Sequence, residues 1–248
     1  MTIATTEKKS AKVVSPAEWL AARKKLLAKE KEFTRLRDEL SRERREMPWE
    51  KVEKKYVFEG PKGKETLSDL FGTRNQLIIY HFMLGPGWKE GCPSCSFLAD
   101  SFDAPALHLA QRDTSFGVIS RAPLPEIQAF QKRMGWHFQW LSSNGTDFNR
   151  DFQVSASTQE VASGKAEYNY GPSNFPSEER PGLSVFYRKD GEIFHTYSSF
   201  ARGGEVMLSA YALLDMMPKG RNEKSNMTDW VKLRDRYEAV AEEAGGCH

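Results

Sequence analysis

The segment Gln76-Leu-Ile-Ile-Tyr-His-Phe-Met83 is a short apolar run bounded by Asn75 and Gly85, the pattern of a central strand covered on both faces. The chain breaks at Gly85-Pro-Gly-Trp-Lys-Glu-Gly91 and starts a helix at Cys92-Pro-Ser-Cys95, with Pro93 at the first helical position, where a backbone N–H would be unpaired in any case. Residues 115–120 read as a second strand, residues 124–134 as a helix stopped by Gly135, and residues 138–143 as a third strand. Strands alternating with helices demand parallel pairing through right-handed crossovers. The two cysteines therefore fall at a strand-to-helix turn of an α/β sheet.

Around this centre the chain organises into four stretches. Residues 1–14 are polar and lysine-rich without periodicity, which reads as a disordered leader. Residues 15–49 form a helical arm. Ser15-Pro16-Ala17-Glu18 is a capping box, and Trp19, Leu26, Phe33 and Leu40 recur every seven residues, with Leu36 between, in a charged background ending at Met47-Pro48. So narrow a seam suits a dimerisation or partner-binding arm, a homodimer among them, or packing along the chain's own domain; the Arg42, Arg44, Arg45 cluster reads as a solvated face. Residues 50–218 form the main domain. It opens with a hairpin over 56–65 and a helical turn over 67–71, and the cysteine helix is expected to run on toward Ala110. Residues 144–182 are rich in Gly, Ser, Asn and Pro, with one short helix near 147–152, and read as a long loop. A hairpin over 183–197 turns at Lys189-Asp190-Gly191, and residues 205–217 form a helix closed by Pro218. Residues 219–248 carry a last helix, capped by Thr228 and running to about Ala244, and a tail.

Composition removes several classes of function. Thirty-six Lys and Arg against thirty-four Asp and Glu leave a net charge of +2, without the basic field on which nucleic-acid binding draws. The longest apolar stretch, residues 77–84, is interrupted by His81 and is far short of the roughly 20 residues that span a bilayer. Neither nucleic acid nor membrane is expected as a partner. Residues 1–10 lack the apolar core and cleavage site of a secretory signal, and three cysteines are too few and odd in number for a disulfide-stapled secreted scaffold. A cytoplasmic protein is expected. No phosphate-binding glycine motif and no strand-turn-helix GxSxG is present. The sequons at Asn144 and Asn226 carry no meaning without a secretory signal.

Two thiols one helical turn apart at a helix start can close a small disulfide ring, and the helix dipole with the free N–H groups stabilises a thiolate. Cys92, nearer the mouth, is the expected nucleophile; Cys95, one turn deeper, is the resolving thiol that attacks the mixed disulfide. The same spacing also supplies half of a zinc site, although no second CxxC completes it. His81, on the strand leading to the motif, and His195, on the later hairpin, could add imidazoles to the thiolates and make a copper or zinc site, or be structural. His108 and His137 look structural, and Cys247-His248 reads as a frayed end.

The order strand, Trp-containing loop, CxxC, helix, strand, helix, strand, loop, Pro, hairpin, helix resembles a thioredoxin fold. Trp88 echoes the aromatic residue that precedes the cysteines there, and Pro181-Gly-Leu-Ser-Val-Phe-Tyr-Arg-Lys-Asp-Gly191 resembles the segment where thioredoxins carry a cis-proline before a hairpin, which would set Pro181 across from Cys92. The extra strand at 138–143 with 147–154, and the lead-in at 63–71, are similar to the insertion of peroxiredoxin-like and cytochrome-maturation thioredoxins. Gly91-Cys-Pro-Ser-Cys-Ser-Phe-Leu-Ala-Asp100, Val118-Ile-Ser-Arg-Ala-Pro123, Met134-Gly-Trp136 and His195-Thr-Tyr-Ser198 resemble segments of a bacterial thioredoxin-like domain-of-unknown-function family, described as predicted dithiol-disulfide oxidoreductases or isomerases. The resemblance implies a three-layer α/β thioredoxin-like fold with a peroxiredoxin-type insertion, flanked by the N-terminal long helix and the C-terminal helix. It implies a thiol-disulfide oxidoreductase acting on a protein or small-molecule thiol or disulfide, with no cofactor beyond its own redox-active disulfide.

Three departures from the pattern bear on chemistry. Pro-Ser between the cysteines alters the redox poise. Arg180 stands before Pro181 where thioredoxins carry a small or β-branched residue, so it joins Trp88 and Pro181 as an expected substrate-docking residue that changes or blocks docking. Lys89 occupies the place of the threonine that peroxiredoxins set three residues before their reactive cysteine, which disfavours peroxide reduction by that machinery. The aromatic loop at 168–176 is a candidate lid over the cysteines or a sheet-edge packing element. Beside the redox reading stand two others: a copper- or zinc-binding protein or metal-dependent oxidase using Cys92, Cys95 and His195 or His81, and a non-catalytic interaction module.

Overall fold

A computed structural model describes residues 12–224 and 228–238, and the chain divides after Pro48 into two compact units. The first contains helix α1 (Pro16–Glu46). Its start is the expected capping box: Ser15 Oγ accepts from the Glu18 N–H, and the Glu18 carboxylate accepts from the Ser15 N–H at 3.0 Å. Pro48 holds Met47 in an extended conformation (φ −58°, ψ 142°), and the helix ends there. Most of the expected leader, residues 1–11, lies outside the described residues, as do Asn226 and the tail with Cys247 and His248.

The second unit begins with strand β1 (Glu50–Lys51), the hairpin β2 (Val57–Gly60) and β3 (Gly63–Thr66), and a 3-10 turn at Asp69–Phe71. Strand β4 (Gln76–His81) leads into helices α2 (Pro93–Ala99) and α3 (Asp103–Ala110), then strand β5 (Thr114–Ser120), helix α4 (Leu124–Met134) and strand β6 (Trp140–Ser142). Short helices α5 (Phe148–Asp151) and α6 (Thr158–Ala162) and a two-stranded ribbon, β7 (Glu167–Tyr168) with β8 (Gly171–Pro172), precede the hairpin β9 (Gly182–Lys189) and β10 (Glu192–Phe200). A 3-10 segment (Ala201–Met207) and helix α7 (Ser209–Leu214) follow. The main sheet has the order β1-β10-β9-β4-β5-β6-β2-β3, with β4, β5 and β6 parallel and β9 antiparallel to β4. A parallel pair joined across a helix, flanked by an antiparallel hairpin that returns beside the first strand, is the thioredoxin-like arrangement. Strand β6 and the β2–β3 hairpin extend the sheet on its far edge.

The centre of the sheet is buried on both faces because β4, β5 and β6 carry apolar side chains on either side, and their alternation sorts the core into two halves. Tyr80, Phe82, Val118 and Trp140 join Cys95, Phe102, Ile127, Phe130 and Trp136 on one face. Leu77, Ile79, Ile119 and Leu141 join Phe58, Phe71, Phe148 and Phe186 on the other. Among the described residues no helix is long and apolar enough to cross a membrane.

Three expectations are corrected. The cysteine helix does not run through to Ala110: it stops at Ala99 and restarts at Asp103. Pro105 explains the break, since its ring would collide with the Ser101 carbonyl and it has no N–H to bond there; restarting at Asp103 places it in the first turn, where neither matters. The C-terminal helix is absent over residues 228–238, where a 3-10 turn at Arg234–Arg236 is the only regular element. Tertiary contacts hold this stretch in turns instead: Leu233 enters the core, the Trp230 ring lies 5.5 Å from Phe97, and Arg133 binds Asp235 at 2.7 Å. The helix expected over 205–217 is reduced to α7, behind a 3-10 segment containing Gly203 and Gly204. The long loop at 144–182 holds α5, α6 and the β7–β8 ribbon.

Candidate functional site

Strand β4 delivers the chain to the cysteine turn, and the turn is fixed by backbone pairing: the Cys92 N–H donates to the Met83 carbonyl at 3.1 Å. Gly91 is required there. A Cβ on it would stand 2.5 Å from the Phe82 ring and 2.7 Å from the Phe130 ring, so only glycine lets the turn press onto the core. Cys92 is the N-cap of α2 with Pro93 next, and its carbonyl accepts from the Ser96 N–H at 2.9 Å and Ser96 Oγ at 3.0 Å. Cys92 is half-buried and Cys95 buried, both as free thiols.

The two sulfurs are in opposite electrostatic situations. The Cys95 thiol donates to the Cys92 sulfur, which also accepts from the N–H groups of Cys95 and Ser94 and from the Ser94 hydroxyl; together these outweigh burial and hold Cys92 down to about 6. Burial and the neighbouring Cys92 push Cys95 well above the ordinary thiol range, opposed by donors from the Tyr80 hydroxyl and the Met83 N–H. The result is a chain of hydrogen bonds from Tyr80 through Cys95 to Cys92. A second chain reaches Cys92 from the opposite direction, because Ser94 Oγ lies 2.7 Å from Thr228 Oγ1.

Both cysteines open into a cleft of about 320 Å³. Its walls are apolar: Met83, Leu98, Tyr168, Phe175, Leu183 and Phe200 among them, with Met207 and Leu208 from the segment after β10. Sequence reasoning missed Tyr80 and Thr228. The signal for Tyr80 was present, since alternation along β4 sets it on the face opposite to Ile79 and His81; nothing local in the sequence points from Thr228 to Ser94.

The other expected site residues separate. Pro181 lines the cleft with Cys92, as the resemblance implied, although the Arg180–Pro181 bond is trans; its carbonyl accepts from the Tyr168 hydroxyl at 2.7 Å. Trp88 packs half-buried against the core beside Gly85 and Glu179, away from the cleft lining. Arg180 is 1 % exposed and also off the cleft. None of its guanidinium nitrogens has a hydrogen-bond partner among the described residues, its Cζ stands 5.9 Å from the Tyr168 ring, and burial lowers its pKa. Of the three residues expected at a docking surface, Trp88, Arg180 and Pro181, the cleft brings only Pro181 to the cysteines. Lys89 is exposed. From the 168–176 loop, Tyr168 and Phe175 form part of the cleft wall.

The histidines do not meet the cysteines. His81 is buried on the other face of the sheet, its Nε2 2.8 Å from Ser184 Oγ; Ser184 Oγ is 3.0 Å from Ser198 Oγ, which is 2.7 Å from His195 Nε2. A register shift between His195 and Tyr197 turns His195 and Ser198 to the same side of β10, which a regular strand would not do at a spacing of three. Burial holds His81 at about 3, so it is neutral. The expected metal set of Cys92, Cys95, His81 and His195 is thus split between two faces, and no group of three His, Cys, Asp or Glu among the described residues is placed to hold a metal ion. His137 is exposed beside Asp103, and His108 is exposed on α3.

Fold and cleft define a thioredoxin-like protein with its CxxC pair at the start of the first crossover helix. The chain belongs to the DUF899 family, described as bacterial protein of unknown function, whose profile matches residues 8–237. No curated protein is similar to it in sequence. Among solved structures it is similar to PrxQ from Xylella fastidiosa, at 15% identity over 64% of this chain and 88% of that one with a TM-score of 0.41. It is also similar to the peroxidoxin BcpB from Mycobacterium tuberculosis, at 15% identity over 66% and 94% of the two chains with a TM-score of 0.38. A third is a putative thiol:disulfide interchange protein DsbE from Chlorobium tepidum, at 10% identity over 65% and 93% with a TM-score of 0.41.

Proposed function

We propose that this protein is a thiol-disulfide oxidoreductase in which Cys92 attacks and Cys95 resolves. The observation that carries the proposal is the pairing of a half-buried thiol at a helix start, in the wall of a cleft, with a buried thiol one turn on that hydrogen-bonds to it. The Cys92 thiolate attacks one sulfur of a disulfide RSSR, forming the Cys92–SR bond and releasing RS⁻. The Cys95 proton passes to the first leaving thiolate, and the Cys95 sulfur then attacks Cys92, forming the Cys92–Cys95 bond and expelling the second RS⁻, which takes back from solvent the proton that Cys92 released on ionising. Two electrons have moved from the dithiol to the substrate, and an external dithiol returns them by the reverse exchange. Donors on Cys92 favour the first attack by keeping it ionised at neutral pH. Tyr80, hydrogen-bonded to Cys95, stabilises the negative charge that develops on that sulfur in the second. The reading calls for no metal or organic cofactor and suits a reducing, cytoplasmic setting.

The test is pH-dependent alkylation of freshly purified reduced protein, mapped to each cysteine, with metal content measured on the same sample. Alkylation of Cys92 with an apparent pKa well below about 8.5 in metal-free protein is the expected result. Thiols that resist alkylation until a chelator removes stoichiometric copper or zinc would overturn it.

A further inference from the structure

The surroundings of Cys92 point to what it acts on. In a dithiol that docks proteins, the reactive sulfur must sit on a surface another chain can reach. Here a later part of the same chain lies against that surface. Ala201, Arg202, Gly204, Glu205, Met207 and Leu208 line the cysteine cleft from the segment after β10, and Thr228 adds its hydroxyl 2.7 Å from Ser94, inside the CxxC motif itself. This cover is anchored behind the motif, with the Phe97 ring 5.5 Å from both Tyr211 and Trp230. What remains is a cleft of about 320 Å³, at the small end of the roughly 300–1,000 Å³ of ordinary small-molecule sites.

The lining also sorts by charge. Apart from Cys92, its charged side chains among the described residues are Arg202 and Glu205, which bind each other at 2.7 Å, and Glu205 is further held by Arg221 at 3.2 Å. The remaining walls are aliphatic, aromatic or hydroxylic. A substrate bearing carboxylates would shed their hydration beside the Cys92 thiolate and Glu205, where the one lining cation among the described residues, Arg202, is already paired, whereas an uncharged one loses little and gains by burial.

We infer that the substrate is a small, uncharged, apolar disulfide, of alkyl or aryl type, reduced to its two thiols inside this cleft, and not a protein disulfide or a charged peptide disulfide. The inference rests on the thiol-disulfide reading above and follows its stoichiometry: dithiol plus RSSR gives the Cys92–Cys95 disulfide plus two RSH.

The experiment is single-turnover oxidation of the reduced full chain by two chromogenic aryl disulfides, neutral 4,4′-dithiodipyridine and the dianion 5,5′-dithiobis(2-nitrobenzoate). Each rate is divided by that of free dithiothreitol with the same reagent, to remove intrinsic reactivity; insulin and cumene hydroperoxide are run alongside. The neutral reagent is expected to gain at least about tenfold over the dianion, on the order of what burying an uncompensated polar group costs, with insulin slower than either. Met207→Lys, which sets a cation in the wall, is expected to shift the preference toward the dianion. Equal normalised rates, a preference for the dianion, insulin reduction at a comparable rate, or faster consumption of cumene hydroperoxide would each overturn the substrate class while Cys92 remains reactive. Thiols that label only in denaturant and ignore every reagent would instead overturn the thiol-disulfide reading, and the inference with it.

Discussion

Thr228 Oγ1 lies 2.7 Å from Ser94 Oγ, and the Ser94 hydroxyl donates to the Cys92 sulfur. A residue 134 positions beyond Ser94 thus reaches the candidate nucleophile through one hydroxyl. The same contact holds Thr228 at the cleft, so the environment of Cys92 depends on a segment far along the chain.

Loss of this contact has a measurable cost. Thr228→Val keeps the bulk and removes the hydroxyl, freeing Ser94 to rotate away from Cys92; the apparent pKa of Cys92 alkylation is expected to rise. Leu233→Ala removes a core side chain from the same segment, and about 2–5 kcal/mol of stability should go with it, read from denaturant midpoints. Unchanged midpoints would mean that the segment does not pack as described.

The cysteines divide their labour. Cys92→Ser is expected to abolish disulfide reduction. Cys95→Ser should leave the first attack intact and accumulate a stable Cys92 mixed disulfide, visible as a mass increase on the intact protein. Because the Cys95 thiol is the largest influence holding Cys92 down, Cys95→Ala should move Cys92 alkylation up from about 6 toward the ordinary thiol range.

The sign of the pH dependence follows from the same depression. Cys92 releases its proton at lower pH in the folded chain than in the unfolded chain, so the unfolded state binds more protons between about 6 and about 8.5. Stability of the reduced protein from this group should rise with pH through that window and be lost as pH falls through 6. Cys92→Ala is expected to flatten that part of the curve.

Tyr80→Phe removes the hydroxyl donor to Cys95 and little else. Initial attack by Cys92 should be unchanged, while resolution of the mixed disulfide should slow by about tenfold or more, the worth of one hydrogen bond to a charged group. Rapid-quench mass spectrometry separates the two steps; equal slowing of both would assign Tyr80 a packing role alone.

On the other face, His81 stays neutral near pH 3 to 6 while the unfolded chain protonates its imidazole below about 6.5. Its contribution to stability is present above that value and fades as pH falls toward 3. His81→Phe should lessen the acid-side loss of stability measured between pH 7 and pH 4.5, and leave Cys92 reactivity unchanged. Arg180, a buried cation without a hydrogen-bond partner among the described residues, makes a separate case: Arg180→Met is expected to be neutral or stabilising by about 1–4 kcal/mol. A destabilised variant would show that the guanidinium is compensated by a group not yet identified.

Local chemistry in the sequence determined the strand-turn-helix that carries the cysteines. The apolar run of β4, the glycines that break it and Pro93 at the helix start are each decided within a few residues, and so are the capping box of α1, the Gly135 stop of α4 and the Asp190-Gly191 turn. Pro105 held the break between α2 and α3 in plain view. What lies far apart in sequence but close in space was decided only by tertiary structure. Alternation along β4 sends Tyr80 to the cysteine face and His81 to the other, yet the meaning of that parity appears only when α2 covers one face and Phe148 and Phe186 the other. The bulge in β10 turns His195 toward Ser198, which no periodic reading of the strand supplies. Residues 228–238 have an amphipathic pattern and still do not form a helix, because Trp230, Leu233 and Asp235 gain more from α2, the core and Arg133 than isolated helical turns offer so short a segment. Thr228, at the start of that stretch, is its contribution to the cleft over Cys92. Propensity acts within a turn or two of the chain, whereas burial and pairing act across the whole of it.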